Sequence, residues 1–185
     1  MKSIIVKMGN PILRRKARPV PLRQARTKTF QLFLKKMVRV MRSAQGVGLA
    51  ANQVGDGRQV FVMECRGNKR YPRGTSFPLQ AYLNPRITRY SKAVEKGWEG
   101  CLSIPGFRGR VPRSKSVALV ATTPGGHKIS KVFKGFEARV IQHEMDHLNG
   151  RFYIDRMRDK STWMHLEEFN RRFQAKIRDN KPRRS

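Results

Sequence analysis

Apolar residues that recur every three or four positions predict three helices along this chain. The first covers residues 28–43, where six apolar side chains share one face and basic side chains occupy the other. The second covers Phe136–Asn149 and is followed by Gly150, a residue typical of helix C-caps. The third covers residues 161–178. Its apolar face consists of Trp163, Leu166, Phe169, Phe173 and Ile177, and its basic face of Arg171, Arg172, Lys176 and Arg178.

Short segments that alternate in polarity or are rich in β-branched residues predict strands. They are Gln59–Cys65, Ala81–Leu83, Val117–Thr123 and Ile129–Phe133. We expect Asn84-Pro85 to end the second strand, and the turn at Pro124–Gly126 to join the last two as a hairpin. This order of elements favours an α+β fold. Antiparallel sheets would pack around the central helix, with an N-terminal helix and a basic C-terminal helix at the ends.

The charge of the chain is strongly basic and unevenly distributed. Its 185 residues include 41 Lys or Arg and 12 Asp or Glu, and no acidic residue precedes Asp56. Such a field attracts polyanions, so we favour contact with RNA over a merely solvated surface. No apolar stretch approaches the ~20 residues that cross a bilayer, and no segment resembles a signal peptide. With only two cysteines, Cys65 and Cys101, we expect an intracellular protein without membrane contact.

The run Gln142–His147 predicts a metal site on the central helix. His143 and His147 are four residues apart and therefore share one helix face, where both imidazoles can bind one ion. Glu144 follows the first histidine and can reach water at that ion to move its proton. The pattern indicates metal-dependent hydrolysis if a third ligand exists.

The third ligand stays open on the residues alone. A metzincin would have histidine where this chain has Tyr153, which argues against that class. A thermolysin-like protease would use Glu167 or Glu168, but both are spaced to pair with arginines on the terminal helix. Cys101 lies between glycine-flanked and proline-flanked segments, and a thiolate binds Zn²⁺ or Fe²⁺ strongly.

Three ordered segments match the motifs of one enzyme family. They are Gly46–Gln53 (GVGLAANQ), Glu99–Ser103 (EGCLS) and Gln142–His147 (QHEMDH). With these motifs, and with Gly9–Arg14 and Asn84-Pro85, the chain closely resembles peptide deformylases over residues 4–155. The resemblance implies an enzyme that removes the formyl group from the N-terminal formyl-methionine of newly synthesised polypeptides and releases formate.

The resemblance also implies a ligand set for the metal. Cys101, His143 and His147 would hold one divalent ion, with water in the fourth position. We expect Fe²⁺ in the cell, although Zn²⁺, Ni²⁺ or Co²⁺ suit the same ligands. The helix that carries both histidines would then be the metal-binding helix at the centre of the fold.

Catalytic roles follow from the same resemblance. Glu144 would act as the general base for the metal-bound water that attacks the formyl carbonyl, and then as the acid. The side-chain amide of Gln53 and the backbone N–H of Leu102 would donate to the oxygen that becomes negative. An attack on a formamide needs such preorganised donors.

The substrate would lie between the first and third motifs. Helical spacing puts Phe136 and Val140 on the same face as the first histidine, where with Val47 they could form the methionine pocket; the same spacing is equally typical of core residues. Gly48 and Gly100 would offer backbone contacts to a peptide that binds as an added strand. Trp98 and the segment Gly106–Gly109 are similar to the residues at these positions in one subgroup of the family. We expect Trp98 at the mouth of the pocket.

We expect one metallohydrolase domain over residues 1–160, followed by a basic amphipathic helix and short tail over residues 161–185. The resemblance implies that this helix docks on ribosomal RNA, in a monomeric protein of the bacterial cytoplasm or, alternatively, an organelle matrix. Two other functions stay open. One is a ribosome- or RNA-binding module with a structural metal, which would need His127 or His165 as fourth ligand. The other is a thermolysin-like metalloprotease.

Overall fold

The structure, a computed structural model, describes residues 5–66 and 76–174. Its strands form two sheets in which all pairs of neighbouring strands are antiparallel. The first sheet has the order β1-β2-β3-β6-β7, with β1 Gly48–Ala50, β2 Val60–Cys65, β3 Phe77–Tyr90, β6 Ser116–Thr122 and β7 Lys128–Lys134. The second has the order β4-β5-β8, with β4 Val94–Cys101, β5 Ile104–Ser114 and β8 Met164–His165.

Four α-helices accompany the sheets in the described residues: α1 Leu22–Ala25, α2 Lys28–Ser43, α3 Gly135–Leu148 and α4 Leu166–Phe169. The helix α3 contacts strands of both sheets, so it lies at the centre of the molecule. This arrangement confirms the predicted α+β class with antiparallel sheets around a central helix. None of the helices in the described part of the chain is long and apolar enough to cross a membrane.

The helix α2 begins and ends where its sequence pattern predicts. The Thr27 hydroxyl accepts a hydrogen bond from the Phe30 backbone N–H and so caps the first turn. One face, which includes Phe30, Leu34 and Met37, is buried against residues of β1 and β2. Burial of that face holds the helix on the sheet, and its basic face stays outside.

The strand β3 is much longer than predicted, because Asn84-Pro85 does not end it. Asn84 adopts a positive φ of 49°, and its side-chain amide bonds the backbone N–H and C=O of Val20 at 2.7 and 2.8 Å. The register of β3 against β6 shifts between Leu83 and Arg86, so that Pro85 lies in an irregular step where no ladder donor is needed. The strand continues after this step.

The hairpin of β4 and β5 was not predicted, although it carries Cys101, the expected third metal ligand. Charged and small residues such as Glu95, Lys96 and Gly97 hide any alternation in β4. Pairing with β5 over Val94–Glu99 supplies the order that local propensity does not.

The prediction of one helix over residues 161–178 was wrong in its first part. Lys160–Thr162 form a 3₁₀ turn and Met164–His165 pair with β5 as β8 before the helix begins at Leu166. The Trp163 ring stacks on Phe107 at a centroid distance of 4.5 Å, which favours this extended path over a helical one. A single π-helical turn, Asn170–Gln174, follows α4, and the rest of the predicted helix and tail lies outside the described residues.

The end of the metal-binding helix depends on a glycine. Gly150 has a φ of +69°, and a Cβ there would lie 2.3 Å from the Arg14 carbonyl oxygen. We expect Gly150→Ala to lower the free energy of unfolding by more than Gly55→Ala does. Gly55 has a similar φ of +83° but open space around it, so its substitution costs only the left-handed strain of about 1–2 kcal/mol. Urea unfolding of both variants measures the difference, and equal losses would contradict the role of the Arg14 contact.

Candidate metal centre and active site

Three side chains from β4 and α3 meet in the interior and could hold one metal ion. Cys101 ends β4, and His143 and His147 lie on consecutive turns of α3. One nitrogen or sulfur atom of each lies within 4.8 Å of the others, and Cys101 Sγ is 3.1 Å from His147 Nε2. Metal bonds of ~2.3 Å to sulfur and ~2.1 Å to nitrogen span that last separation.

The chemistry of these donors also fits a divalent transition metal. Burial raises the pKa of the Cys101 thiol, but the imidazoles of His147 and His143 outweigh it and hold the pKa well below its usual range. The thiolate is the form that binds a metal. In the described part of the chain, no carboxylate and no further imidazole or thiol joins the three, so a fourth position is left for water or substrate.

The residues considered as alternative ligands lie elsewhere. The carboxylate of Glu168 accepts hydrogen bonds from Arg171 and Arg172, and the Glu167 side chain is 90% exposed. His165 packs edge-on against the Phe107 ring. Together with the three-residue donor set, these positions favour neither a thermolysin-like site nor a closed structural site.

A buried carboxylate orients the first histidine. Glu99 Oε2 lies 2.9 Å from His143 Nδ1, which leaves Nε2 of that ring for the metal. The guanidinium groups of Arg113 and Arg139 donate to Glu99, and Arg113 also donates to Asp146 on α3. Burial raises the pKa of Glu99, but Arg113 outweighs this and holds it well below its usual range. The imidazole is therefore fixed by an ionised partner.

Gln53 is held so that its amino group faces the metal ligands. Its Oε1 accepts from the Ala50 backbone N–H at 2.9 Å, which closes the 3₁₀ turn Ala51–Val54 and fixes the orientation of the amide. Its Nε2 then donates toward Ser103 Oγ at 3.2 Å and lies 3.5 Å from Cys101 Sγ. The same side chain thus caps a turn and presents a donor beside the thiolate.

The Glu144 carboxylate is buried beside this cluster. Burial raises its pKa to about 7, although His143 and His147 oppose the increase. Its Oε2 has no hydrogen-bond partner among the described residues. A Cβ on Gly48 would lie 2.3 Å from Glu144 Oε1, so only glycine lets β1 approach this carboxylate so closely.

A cleft opens onto these groups. It brings together the residues that the sequence suggested for substrate contact, together with the predicted catalytic positions: Val47, Gly48, Gln53, Gly100, Leu102, Phe136, Val140 and Glu144. Val47 and Val140 also belong to the hydrophobic core, and Phe136 packs against it. These side chains can therefore be core residues and also line a methionine pocket, since the core forms the wall of the cleft.

Several residues around the site were missed at the level of sequence. Glu99 and Ser103 lie inside the second matched motif, and their place in that motif could have identified them as site residues. Arg113 and Arg139 give no such signal, because nothing local shows that they converge on Glu99 from a strand and a helix. The fold alone brings them together.

Comparison with known proteins agrees with this geometry. The family model described as polypeptide deformylase matches residues 2–163. Peptide deformylase 2 of Pseudomonas putida is 44% identical over 163 residues, which are 88% of this chain and 92% of that protein. Peptide deformylase 1 of Bordetella pertussis is 42% identical, over 90% of this chain and 94% of its own.

The chain belongs to the peptide deformylase family. It is therefore a metal-dependent hydrolase with deformylase activity. A class I type b peptide deformylase of Acinetobacter baumannii, solved with Met-Ala-Ser bound, superposes with a TM-score of 0.82. It is 35% identical, over 85% of this chain and 100% of that one. The enzyme of Thermotoga maritima gives a TM-score of 0.75 at 33% identity, over 86% and 99% of the two chains.

The role of Glu99 leads to a prediction about metal affinity. Glu99→Gln keeps the shape of the side chain but removes the charge that faces His143 and Arg113. We expect the affinity for a divalent metal to fall about 10–100-fold, as is usual when the partner of a histidine ligand is lost. Competition with a chromophoric chelator for Co²⁺ measures it.

The matched control is Glu95→Gln in the same strand, whose exposed side chain lies away from the ligands. Circular dichroism verifies that both variants are folded. An unchanged affinity in folded Glu99→Gln would show that this carboxylate does not support the metal ligand.

Proposed function

We propose that this deformylase removes the formyl group from the N-terminal formyl-methionine of newly synthesised polypeptides and releases formate. The observation that carries the proposal is the convergence of Cys101, His143 and His147 with the buried Glu144 carboxylate at one apolar cleft. Support also comes from the Acinetobacter baumannii relative, which was solved with Met-Ala-Ser. That peptide has the form of a deformylated product.

One divalent ion would be held by Cys101, His143 and His147. When bound, it would polarise the formyl carbonyl and lower the pKa of water in its fourth position. Our proposal for the cellular ion is Fe²⁺, with Zn²⁺, Ni²⁺ or Co²⁺ as substitutes. The mixed thiolate and imidazole donors suit these ions better than Mg²⁺ or Ca²⁺.

Glu144 would move the protons. Its Oε2 is buried and unpartnered among the described residues, so it can accept a proton from the attacking water without first breaking another bond. As the C–N bond breaks, the same carboxyl group would deliver that proton to the departing amine of methionine. Such a positioned acid–base group typically contributes about 10²–10⁴-fold to the rate.

Gln53 and Leu102 would stabilise the carbonyl oxygen as it becomes negative. The Ala50 backbone holds the Gln53 amide so that its Nε2 faces the cluster, where it donates to Ser103 Oγ and Cys101 Sγ. Donation to the carbonyl oxygen would replace one of these two bonds. Leu102 follows the cysteine ligand directly, and its backbone N–H would be the second donor. Loss of one such donor costs about 10²–10³ in rate in comparable sites.

The methionine side chain would occupy the apolar part of the cleft between Val47, Phe136 and Val140. Gly48 and Gly100 border the cleft from β1 and β4, where their backbone groups would pair with an extended peptide. Backbone pairing of this kind is largely independent of side chains. It would allow the enzyme to accept many sequences after the methionine.

Contact with ribosomal RNA is a further part of the proposal and rests on the formal charge of +29. The described part of the C-terminal segment contributes less than expected, because Glu168 pairs with both Arg171 and Arg172. We propose a monomer in the bacterial cytoplasm, where nascent formylated chains occur. The proposed division into a metallohydrolase domain (1–160) and a C-terminal extension (161–185) is compatible with the family match at residues 2–163.

The proposed reaction is tested by release of formate from formyl-Met-Ala-Ser, using protein loaded anaerobically with Fe²⁺ or Ni²⁺. We expect turnover by the parent protein. Glu144→Gln should lose about 10²–10⁴-fold in kcat while it retains bound metal. Cys101→Ser should lose both metal and turnover. Cys65→Ala is the matched control, because this other buried thiol lies in β2 away from the ligands. Turnover by Glu144→Gln at the parental rate would exclude the proposed general base.

The close approach of Gly48 to Glu144 gives a second prediction. Gly48→Ala should displace the Glu144 carboxylate and lower kcat at least tenfold, with metal content unchanged, since the added Cβ does not face the ligands. Gly57→Ala serves as the control because its surroundings are open. Steady-state kinetics and metal analysis of the two variants decide the matter. Parental kcat in Gly48→Ala would mean that the position of this carboxylate is not critical.

A further inference from the structure

The indole ring of Trp98 lies between the substrate cleft and the C-terminal segment. Side chains alternate along β4, so that Glu99 points inward to Arg113 and Trp98 points to the opposite face. Trp98 borders the cleft together with Gly100 and Leu102. The residue is only partly buried.

Two phenylalanines of the C-terminal segment pack against this ring. The Phe169 ring of α4 lies 5.0 Å from the Trp98 ring in an edge-on arrangement, and the Phe173 ring lies 5.1 Å from it. The two phenylalanine rings are themselves 5.3 Å apart, so the three rings form one cluster. Aromatic contacts of this kind favour a fixed position of the indole ring.

A separate set of contacts anchors the segment that carries these phenylalanines. The strand β8 pairs with β5 through Phe107 and Arg108, and the Trp163 ring stacks on Phe107. These contacts hold the chain on the second sheet before α4 begins. The contacts of Phe169 and Phe173 with Trp98 are additional, and they connect residues 166–174 to the wall of the cleft.

We propose that Trp98, supported by Phe169 and Phe173, is a specificity-determining residue that makes the C-terminal segment part of substrate recognition. This rests on the proposed function. The indole ring contacts a large apolar or aromatic side chain that follows the formyl-methionine. A flat, rigid aromatic surface favours such a side chain over alanine or serine. Phe169 and Phe173 act through Trp98, so they are positioning residues.

The test compares kcat/KM for formyl-Met-Ala-Ser, formyl-Met-Phe-Ser and formyl-Met-Ala-Phe. We expect the parent to prefer at least one phenylalanine peptide, and Trp98→Ala to lower that preference about three- to tenfold, mainly by raising KM. The double variant Phe169→Ala, Phe173→Ala should lower the same preference. Trp98→Phe should restore part of it. Trp163→Phe is the control, since it keeps a stacked ring outside the cleft and should leave the preference unchanged.

A second measurement does not depend on turnover. The chain has two tryptophans, so Trp163→Phe leaves Trp98 as the only one. Binding of Met-Phe-Ser or Met-Ala-Phe should change the fluorescence of this residue more than Met-Ala-Ser does, and loss of Phe169 and Phe173 should reduce that difference.

The outcomes separate the two proposals. A preference that does not change in folded Trp98→Ala would overturn the role of the indole ring. A loss in Trp98→Ala without a loss in the double phenylalanine variant would overturn the link to the C-terminal segment. Failure of the parent protein to release formate from any peptide would contradict the proposed function. Selective peptide-dependent fluorescence of Trp98 would in that case still support the recognition surface.

Discussion

The buried carboxylate of Glu99 is the constraint on which the active-site architecture depends. It receives Arg113 from β5, Arg139 from α3 and the imidazole of His143, and Arg113 extends the network to Asp146 on the same helix. Desolvation of buried charges is costly unless each has a partner, and removal of one partner typically costs about 3–5 kcal/mol. Each charge therefore requires the others, and this favours the observed packing of the helix that carries both histidines against β4 and β5. The ligand geometry is a result of this network.

Small residues control the other side of the site. Gly48 brings β1 against the carboxylate of Glu144, because a side chain there would collide with Oε1, and Oε2 of that carboxylate is buried without a hydrogen-bond partner among the described residues. Gly46 likewise approaches Leu102, where a Cβ would lie 2.8 Å from the leucine side chain. The first motif therefore contributes space and backbone proximity, whereas the second and third contribute charged and ligating groups. Gln53 is the long polar side chain that the first motif directs into the site, and its hydrogen bond to the Ala50 backbone N–H holds it there.

Features that depend on local sequence patterns were predicted correctly, whereas features that depend on contacts between residues distant in sequence were missed. Helices α2 and α3 were predicted because a buried face repeats locally. The two histidines of the candidate metal group were predicted from a short local motif, whereas Cys101 was assigned to it only through the family resemblance. The hairpin of β4 and β5, the continuation of β3 through Pro85 and the extended path at Trp163 were missed. Each depends on a partner distant in sequence: on pairing with β5, on the bonds from Asn84 to Val20, and on stacking against Phe107. Arg113 could not be assigned for the same reason.

The positions of the charged side chains show where the net positive charge of the chain lies. Among the acids in the described part of the chain, Glu64, Glu99, Glu144 and Asp146 are buried, and all but Glu144 form ion pairs. Three buried arginines, Arg108, Arg113 and Arg139, offset most of these buried acids. The exterior is therefore basic mainly because the chain has 41 lysines and arginines against 12 acids. On α2, which carries no acid, Lys28, Lys35, Lys36 and Arg39 are exposed. The field that would attract a polyanion therefore does not depend on the C-terminal segment, and that segment is free to support the cleft through Trp98.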